Sequence, residues 1–184
     1  MSSLGERISV HILAARLRET HCDARSVLSS TLIRTDSYFQ AANPDMDMTR
    51  ELSRTHLLPM LEQQIVPIVT GFIGSTESGA ITTLGRGGSD YSAGILAVAL
   101  EASELWICTD VDGVMTTDPR IASNAKTLGT IAHNEIVELA SAGAQVVHPK
   151  AIGVVMNHNI DLWIRNTFNP EGSATQVLPV IDVS

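Results

Sequence analysis

Lysine is almost missing from this chain of 184 residues: Lys126 and Lys150 are the only two. Aromatic residues make up 4%, cysteine occurs twice and charged residues account for 17%, below the ~25% usual in soluble domains. Each shortage excludes something. With 12 basic and 20 acidic side chains the net charge is −8. No basic patch exists to neutralise a phosphate backbone, so nucleic acid is not an expected partner. Cys22 and Cys108 have no paired spacing, which excludes a disulfide framework and a zinc knuckle and fits a reducing, cytoplasmic setting. The richest apolar stretch, Ala93 to Leu100, is less than half the ~18 residues a membrane span needs. Arg7, Arg16 and Arg18 interrupt the apolar pattern of Met1 to Thr20, so no signal peptide is expected. The histidines lack metal-type spacing, and neither a Gly-x-x-x-x-Gly-Lys-Ser/Thr loop nor a Gly-x-Gly-x-x-Gly fingerprint occurs.

What is present is a core-forming composition. Hydrophobic residues make up 44%, which excludes disorder. The length suits one domain or part of a larger one. Helical spacing marks residues 5–20, with Ile8, Ile12, Ala15 and Glu19 on one face. Ser26 to Leu28 forms a short strand, Asn43-Pro44-Asp45 a turn, and Thr49 a cap for a second helix. Ile65 to Thr70 is a buried strand rich in β-branched residues. Glycines punctuate residues 71–88 as a loop or hairpin, and a nearly all-apolar helix follows to about Glu101. Leu105 to Thr109, Asp161 to Arg165 and Ala174 to Leu178 are strands. Asn134 to Ala142 is a helix stopped by Gly143, and His148-Pro149 opens another. Trp106 and Trp163 are expected in the core. This alternation predicts an α/β layered fold with a mainly parallel sheet.

Two stretches carry candidate chemistry. In Thr82-Thr83-Leu84-Gly85-Arg86-Gly87-Gly88-Ser89-Asp90-Tyr91-Ser92, glycines permit close backbone approach to a ligand. The following helix offers free amides and a positive dipole end. Arg86 adds a fork suited to a carboxylate or phosphate, with Ser89 and Asp90 at the cap. The second stretch, Cys108 to Arg120, follows a strand directly, where parallel sheets bind ligands; its bland reading is a pair of solvated Asx turns. A third feature, Glu6 at a helix start, is by itself a dipole interaction.

These residues resemble the aspartokinases of the amino-acid kinase superfamily. The resemblance runs from Gly5-Glu6-Arg7-Ile8-Ser9 through Val69 to Gly74, Thr82 to Ser92, Thr109 to Arg120 and Gly143 to Pro149, and ends near Thr175-Gln176-Val177. It implies a three-layer α/β/α sandwich and phosphorylation of the L-aspartate side chain by ATP, with Mg2+ carried on the nucleotide. The reaction is the entry step to lysine, threonine and methionine synthesis. By resemblance Arg86 holds the α-carboxylate, Glu6 meets the α-amino group, and Gly88 and Ser89 line the pocket. Asp90 organises the transferring phosphate and the catalytic lysine. Thr109, Asp110, Met115, Arg120 and Gln145 fall where the family binds ATP. A homodimer is the assembly the family implies.

The sequence departs from the family pattern in ways that matter. The family's Lys-x-Gly-Gly-Ser/Thr segment has no counterpart, so residues 1–184 are expected to be a partial kinase domain, truncated at its N-terminus and without regulatory domains. Gln145 stands where the family places a phosphate-contacting lysine, and a neutral amide cannot offset phosphate charge. Little activity is therefore expected of the chain alone. The alternatives are a non-catalytic nucleotide-binding piece completed by a separate fragment, or another carboxylate kinase of the superfamily. Lys150, near Gln145, is expected to be a solvent-facing helix residue.

Overall fold

The computed structural model describes residues 3–117, 122, 124–141 and 147–179. The chain divides into two compact units, Met1–Leu100 and Glu101–Ser184, and both mix helices with parallel strand pairs, as an α/β fold requires.

The first unit is built on a parallel pair, β1 (Ala24–Val27) and β2 (Val66–Val69), registered from Ala24 opposite Val66 to Val27 opposite Val69. A parallel pair needs a long crossover, and α2 (Met46–Glu62) supplies it. The core under these elements is Leu32, Ile33, Leu57, Leu84 and Ile95. Helix α1 (Ser3–Glu19) packs on β1 and β2. Its period is as expected, but its buried side differs. Val10 and Ala14 are buried, with Glu6 and Leu17 half-buried on the same side, whereas Ile8 and Ile12 are 56% and 65% exposed. A second correction concerns α2. Asp45 caps it by accepting from the Met48 amide. Thr49 lies buried in the first turn, its hydroxyl accepting from the Arg34 amide. Helix α2 therefore starts at Met46, three residues before Thr49.

The glycine-rich zone is an antiparallel hairpin, β3 (Ile73–Ser75) with β4 (Ile81–Thr83), followed by α3 (Gly88–Ala99). Buried hydroxyls fix this region. Thr70 Oγ1 accepts from the Ser29 amide at 2.8 Å and donates to Ser29 Oγ at 2.8 Å, which in turn donates to the Ile73 carbonyl at 2.7 Å. Such closed networks cost nothing in unpaired groups and specify one geometry.

The second unit holds a four-stranded sheet in the order β5 (Glu104–Thr109), β7 (Asp161–Asn166), β8 (Thr175–Leu178), β6 (Thr130–Ala132). The β5–β7 and β6–β8 pairs are parallel, and the β7–β8 pair is antiparallel. Ile107, Leu162, Ile164, Val177 and Ile131 are buried, as are Ile136 of α4 (His133–Ser141) and Ile152 and Val155 of α5 (Pro149–Met156). His148 caps α5 as expected, accepting from the Lys150 amide. Helix α4 begins at His133, so Asn134 is not its cap. The proposed stop at Gly143 lies outside the described residues. Trp106 is not core: it is 49% exposed, with the Arg165 guanidinium 4.2 Å from its ring centroid and 5.7 Å from that of Trp163. Both cysteines are free. No helix among the described residues is long and apolar enough to cross a membrane.

Candidate active site

In the first unit, the C-terminal end of β2, the start of α3 and the first turn of α1 converge. The Gly71 amide donates to Glu6 Oε2 at 3.2 Å. Glu6 reaches it because it occupies the inward side of α1, in line with Val10 and Ala14. A Cβ on Gly71 would lie 2.9 Å from Ser89 Oγ, so glycine is what allows β2 to run this close to α3. Gly88 is equally constrained, since a Cβ there would come within 2.8 Å of the Phe72 ring. Phe72 itself has a φ of 69°, a strained value for a bulky residue. Its carbonyl accepts from the Leu84 amide at 2.9 Å. Its amide donates to Ser92 Oγ at 3.2 Å, and Ser92 Oγ donates to the Ser89 carbonyl at 2.8 Å.

Gly87, with a φ of 68°, occupies the N-cap of α3. Ser89 and Asp90 therefore stand in the first turn, a correction to their expected place at the cap. Asp90 is half-buried, and Arg86 is exposed on the approach to the helix with no side-chain partner among the described residues. Beside Asp90, Tyr91 packs against the core, and burial pushes its hydroxyl pKa up. Glu6, Arg86, Gly88, Ser89 and Asp90 are thus brought to one end of the first unit. The arrangement offers a carboxylate, an exposed guanidinium and a helix N-terminus, which together suit a ligand bearing both an ammonium and a carboxylate.

Thr109, Asp110 and Met115 belong to the second unit. Thr109 Oγ1 donates to Asp110 Oδ1 at 3.2 Å at the end of β5, and Met115 bridges to Thr127. The turn between them is fixed twice. Gly113, with a φ of 107°, passes so close to Thr175 that a Cβ would sit 2.5 Å from its Oγ1. That hydroxyl accepts from the Val114 amide and donates to the Leu128 carbonyl. Asp112 Oδ1 accepts from Asn166 Nδ2 at 2.6 Å, tying the turn to the end of β7. Arg120 and Gln145 lie outside the described residues. Lys150 is exposed in the first turn of α5.

Sequence reasoning assigned no role to Gly71, Phe72, Ser92 or Asp112. The available signal was a glycine followed by a bulky residue at the carboxyl end of a parallel strand, where sites cluster. The positive φ of Phe72 and its partner twenty residues later leave no trace in local spacing.

Residues 1–166 match the model of the amino acid kinase family, and the chain belongs to that family. Its nearer likenesses are aspartokinases. It is 41% identical over 176 residues to the aspartokinase of Rickettsia prowazekii (strain Madrid E), a match covering 95% of this chain and 38% of the relative. It is 41% identical over 175 residues to lysine-sensitive aspartokinase 3 of Escherichia coli (strain K12), covering 95% and 39%. The crystal structure of E. coli aspartokinase III in complex with aspartate and ADP (R-state) superposes with a TM-score of 0.87 at 38% identity, over 97% of this chain and 40% of that one. The chain thus spans about two fifths of the length of the relatives it matches.

Proposed function

We propose that this chain carries the aspartate-binding and nucleotide-binding parts of an aspartate kinase domain, residues 1–184 forming part of one catalytic domain. The reaction is ATP plus L-aspartate giving 4-phospho-L-aspartate and ADP. One observation carries the reading: Glu6 and Ser89 both lie against Gly71, and Ser89 stands three residues after Arg86. The related aspartokinase III holds aspartate and ADP, which supports the choice of substrates.

The chemistry needs little from the protein beyond placement. The side-chain carboxylate of aspartate, with a pKa of ~3.9, is already ionised at neutral pH and requires no general base. Arg86 would receive the α-carboxylate through its fork and Glu6 the α-ammonium, leaving the β-carboxylate to face the phosphate. Asp90 would order the transferring phosphate. Thr109, Asp110 and Met115, with Arg120 and Gln145, would receive the nucleotide, and Mg2+ would arrive on its phosphates. Phosphoryl transfer depends on cations around the phosphates. The first 125 residues contain no lysine and position 145 is a neutral amide. The chain by itself is therefore a weak catalyst in this reading.

That same scarcity favours a second reading, in which these 184 residues bind both substrates and reach full activity only with a lysine-bearing segment that they do not themselves contain. A homodimer, a cytoplasmic setting and a role in lysine, threonine and methionine synthesis belong to the same proposal. The test is aspartyl-hydroxamate formation from Mg-ATP, L-aspartate and hydroxylamine, beside Arg86→Ala. Signal lost in Arg86→Ala supports the kinase reading. A signal with L-glutamate or N-acetyl-L-glutamate in place of L-aspartate would assign the site to another carboxylate kinase. No signal until a lysine-bearing segment is added back would select the second reading.

A further inference from the structure

Residues 34–45 form a loop whose shape is held by polar bonds. Its base closes where the Asp36 amide donates to the Asn43 carbonyl at 3.0 Å and the Asp45 amide to the Arg34 carbonyl at 2.9 Å. Within it, Asp36 Oδ1 accepts from the Tyr38 and Asn43 amides, each at 3.1 Å, and Oδ2 accepts from Asn43 Nδ2 at 2.7 Å. The Asn43 side chain first, then the two amides, holds the Asp36 carboxyl below its ordinary pKa. Tyr38 and Phe39 at the tip are 68% and 52% exposed, so the aromatic tip adds little to hold the loop, whose buried apolar side chain is Ala42.

The outer arm of the loop is the bed on which β4 lies. The Thr83 amide and hydroxyl both donate to the Phe39 carbonyl, at 2.9 and 3.0 Å, and the Ala42 amide donates to the Thr83 carbonyl at 2.9 Å. Two residues further on, Gly85, at a φ of 88°, passes directly over the loop. A Cβ there would stand 3.4 Å from the Gln40 carbonyl and 3.5 Å from Ala41. Arg86 is the next residue, and none of its side-chain atoms is anchored among the described residues. The place where Arg86 emerges is therefore set by backbone path, which residues 39–42 hold on one side while the Phe72 carbonyl holds the Leu84 amide at 2.9 Å on the other.

We propose that Asp36 is a positioning residue for Arg86. Its three-bond staple shapes residues 36–43, that shape fixes Thr83 to Gly85, and Gly85 aims Arg86. The consequence for substrate rests on the reading of Arg86 as the α-carboxylate ligand; the structural claim does not.

Hydrogen exchange on the full chain, followed by mass spectrometry, separates the two. Asp36→Ala should speed exchange of the amides of residues 83–88 about tenfold, the loss expected when a local hydrogen-bonded unit opens more readily. Exchange in α2 and β1 should not change. The double variant Asp36→Asn with Asn43→Asp keeps all three bonds, the side-chain pair running in the reverse direction, and should restore slow exchange. Unchanged exchange at 83–88 in Asp36→Ala, an equal rise across α2 and β1, or failure of the double variant to restore would each overturn the proposal. In a parallel calorimetric titration, Asp36→Ala should weaken L-aspartate binding and spare ATP binding. A wild-type chain that binds no L-aspartate would remove the substrate reading, while the exchange result would still decide the positioning claim.

Discussion

Glu6 and Gly71 are 65 residues apart in sequence, and the Glu6 carboxylate accepts the Gly71 amide at 3.2 Å. This bond ties the first turn of α1 to the end of β2, and the second carboxylate oxygen, which has no hydrogen-bond partner among the described residues, is the one that would meet a ligand ammonium. Glu6→Gln keeps an acceptor for Gly71 and removes the charge. L-aspartate affinity should fall about 10- to 100-fold, the worth of one charged hydrogen bond, with little change in unfolding temperature. Glu6→Ala should lose as much affinity and also about 1 kcal/mol of stability. Titration calorimetry and thermal unfolding check both, and equal affinity in Glu6→Gln and wild type would contradict the assignment.

Gly113 and Thr175 make the corresponding contact in the second unit. A methyl group at position 113 would collide with Thr175 Oγ1 at 2.5 Å in a backbone conformation that disfavours side chains. Gly113→Ala should cost about 1–3 kcal/mol. Thr175→Val leaves the Val114 amide and the Leu128 carbonyl without their partner and should cost about as much. Chemical denaturation measures both, and neutral outcomes would show that this turn is not held as described.

The outward apolar side of α1 makes a contrast with the core. Leu57 is 1% exposed and Ile12 65%. Leu57→Ala should destabilise by about 2–5 kcal/mol, and Ile12→Ala by no more than about 0.5 kcal/mol. Comparable losses at the two positions would mean that the exposed side is covered in solution.

Tyr91 gives a pH signature. Burial raises its pKa, so the folded state prefers the neutral phenol. The stability this contributes is fully present below the unfolded-state value of about 10 and is lost as pH rises through the higher folded value. In a Tyr38→Phe background Tyr91 is the sole tyrosine, and its ultraviolet titration should show a midpoint above 10. A midpoint at or below 10 would contradict its packing against the core.

Much of this was legible in the residues. The glycines of Thr82 to Ser92 pointed to a turn leading into a helix start, and α3 begins there at Gly88. The His148-Pro149 cap and the β2 strand followed from local chemistry. Other features depended on neighbours that no local pattern reports. Periodicity put Ile8 and Ile12 on one side of α1 but could not say that Glu6, Val10 and Ala14 face the sheet. Thr49 is a good capping type, yet its hydroxyl is engaged by Arg34 and Asp45 takes the cap. Strand β6 has three residues, too few for an alternation to register. Trp106 is large and apolar, as core residues are, but it lies half-exposed beneath Arg165. Phe72 and Ser92 meet only through a left-handed backbone.

The most direct test of the central claim is calorimetric titration of the purified chain with L-aspartate, beside Arg86→Ala and with D-aspartate as control. The account predicts saturable binding of the L-enantiomer, weakened at least tenfold in Arg86→Ala, and none of D-aspartate. Binding that survives Arg86→Ala unchanged, or no binding of L-aspartate at all, would contradict it.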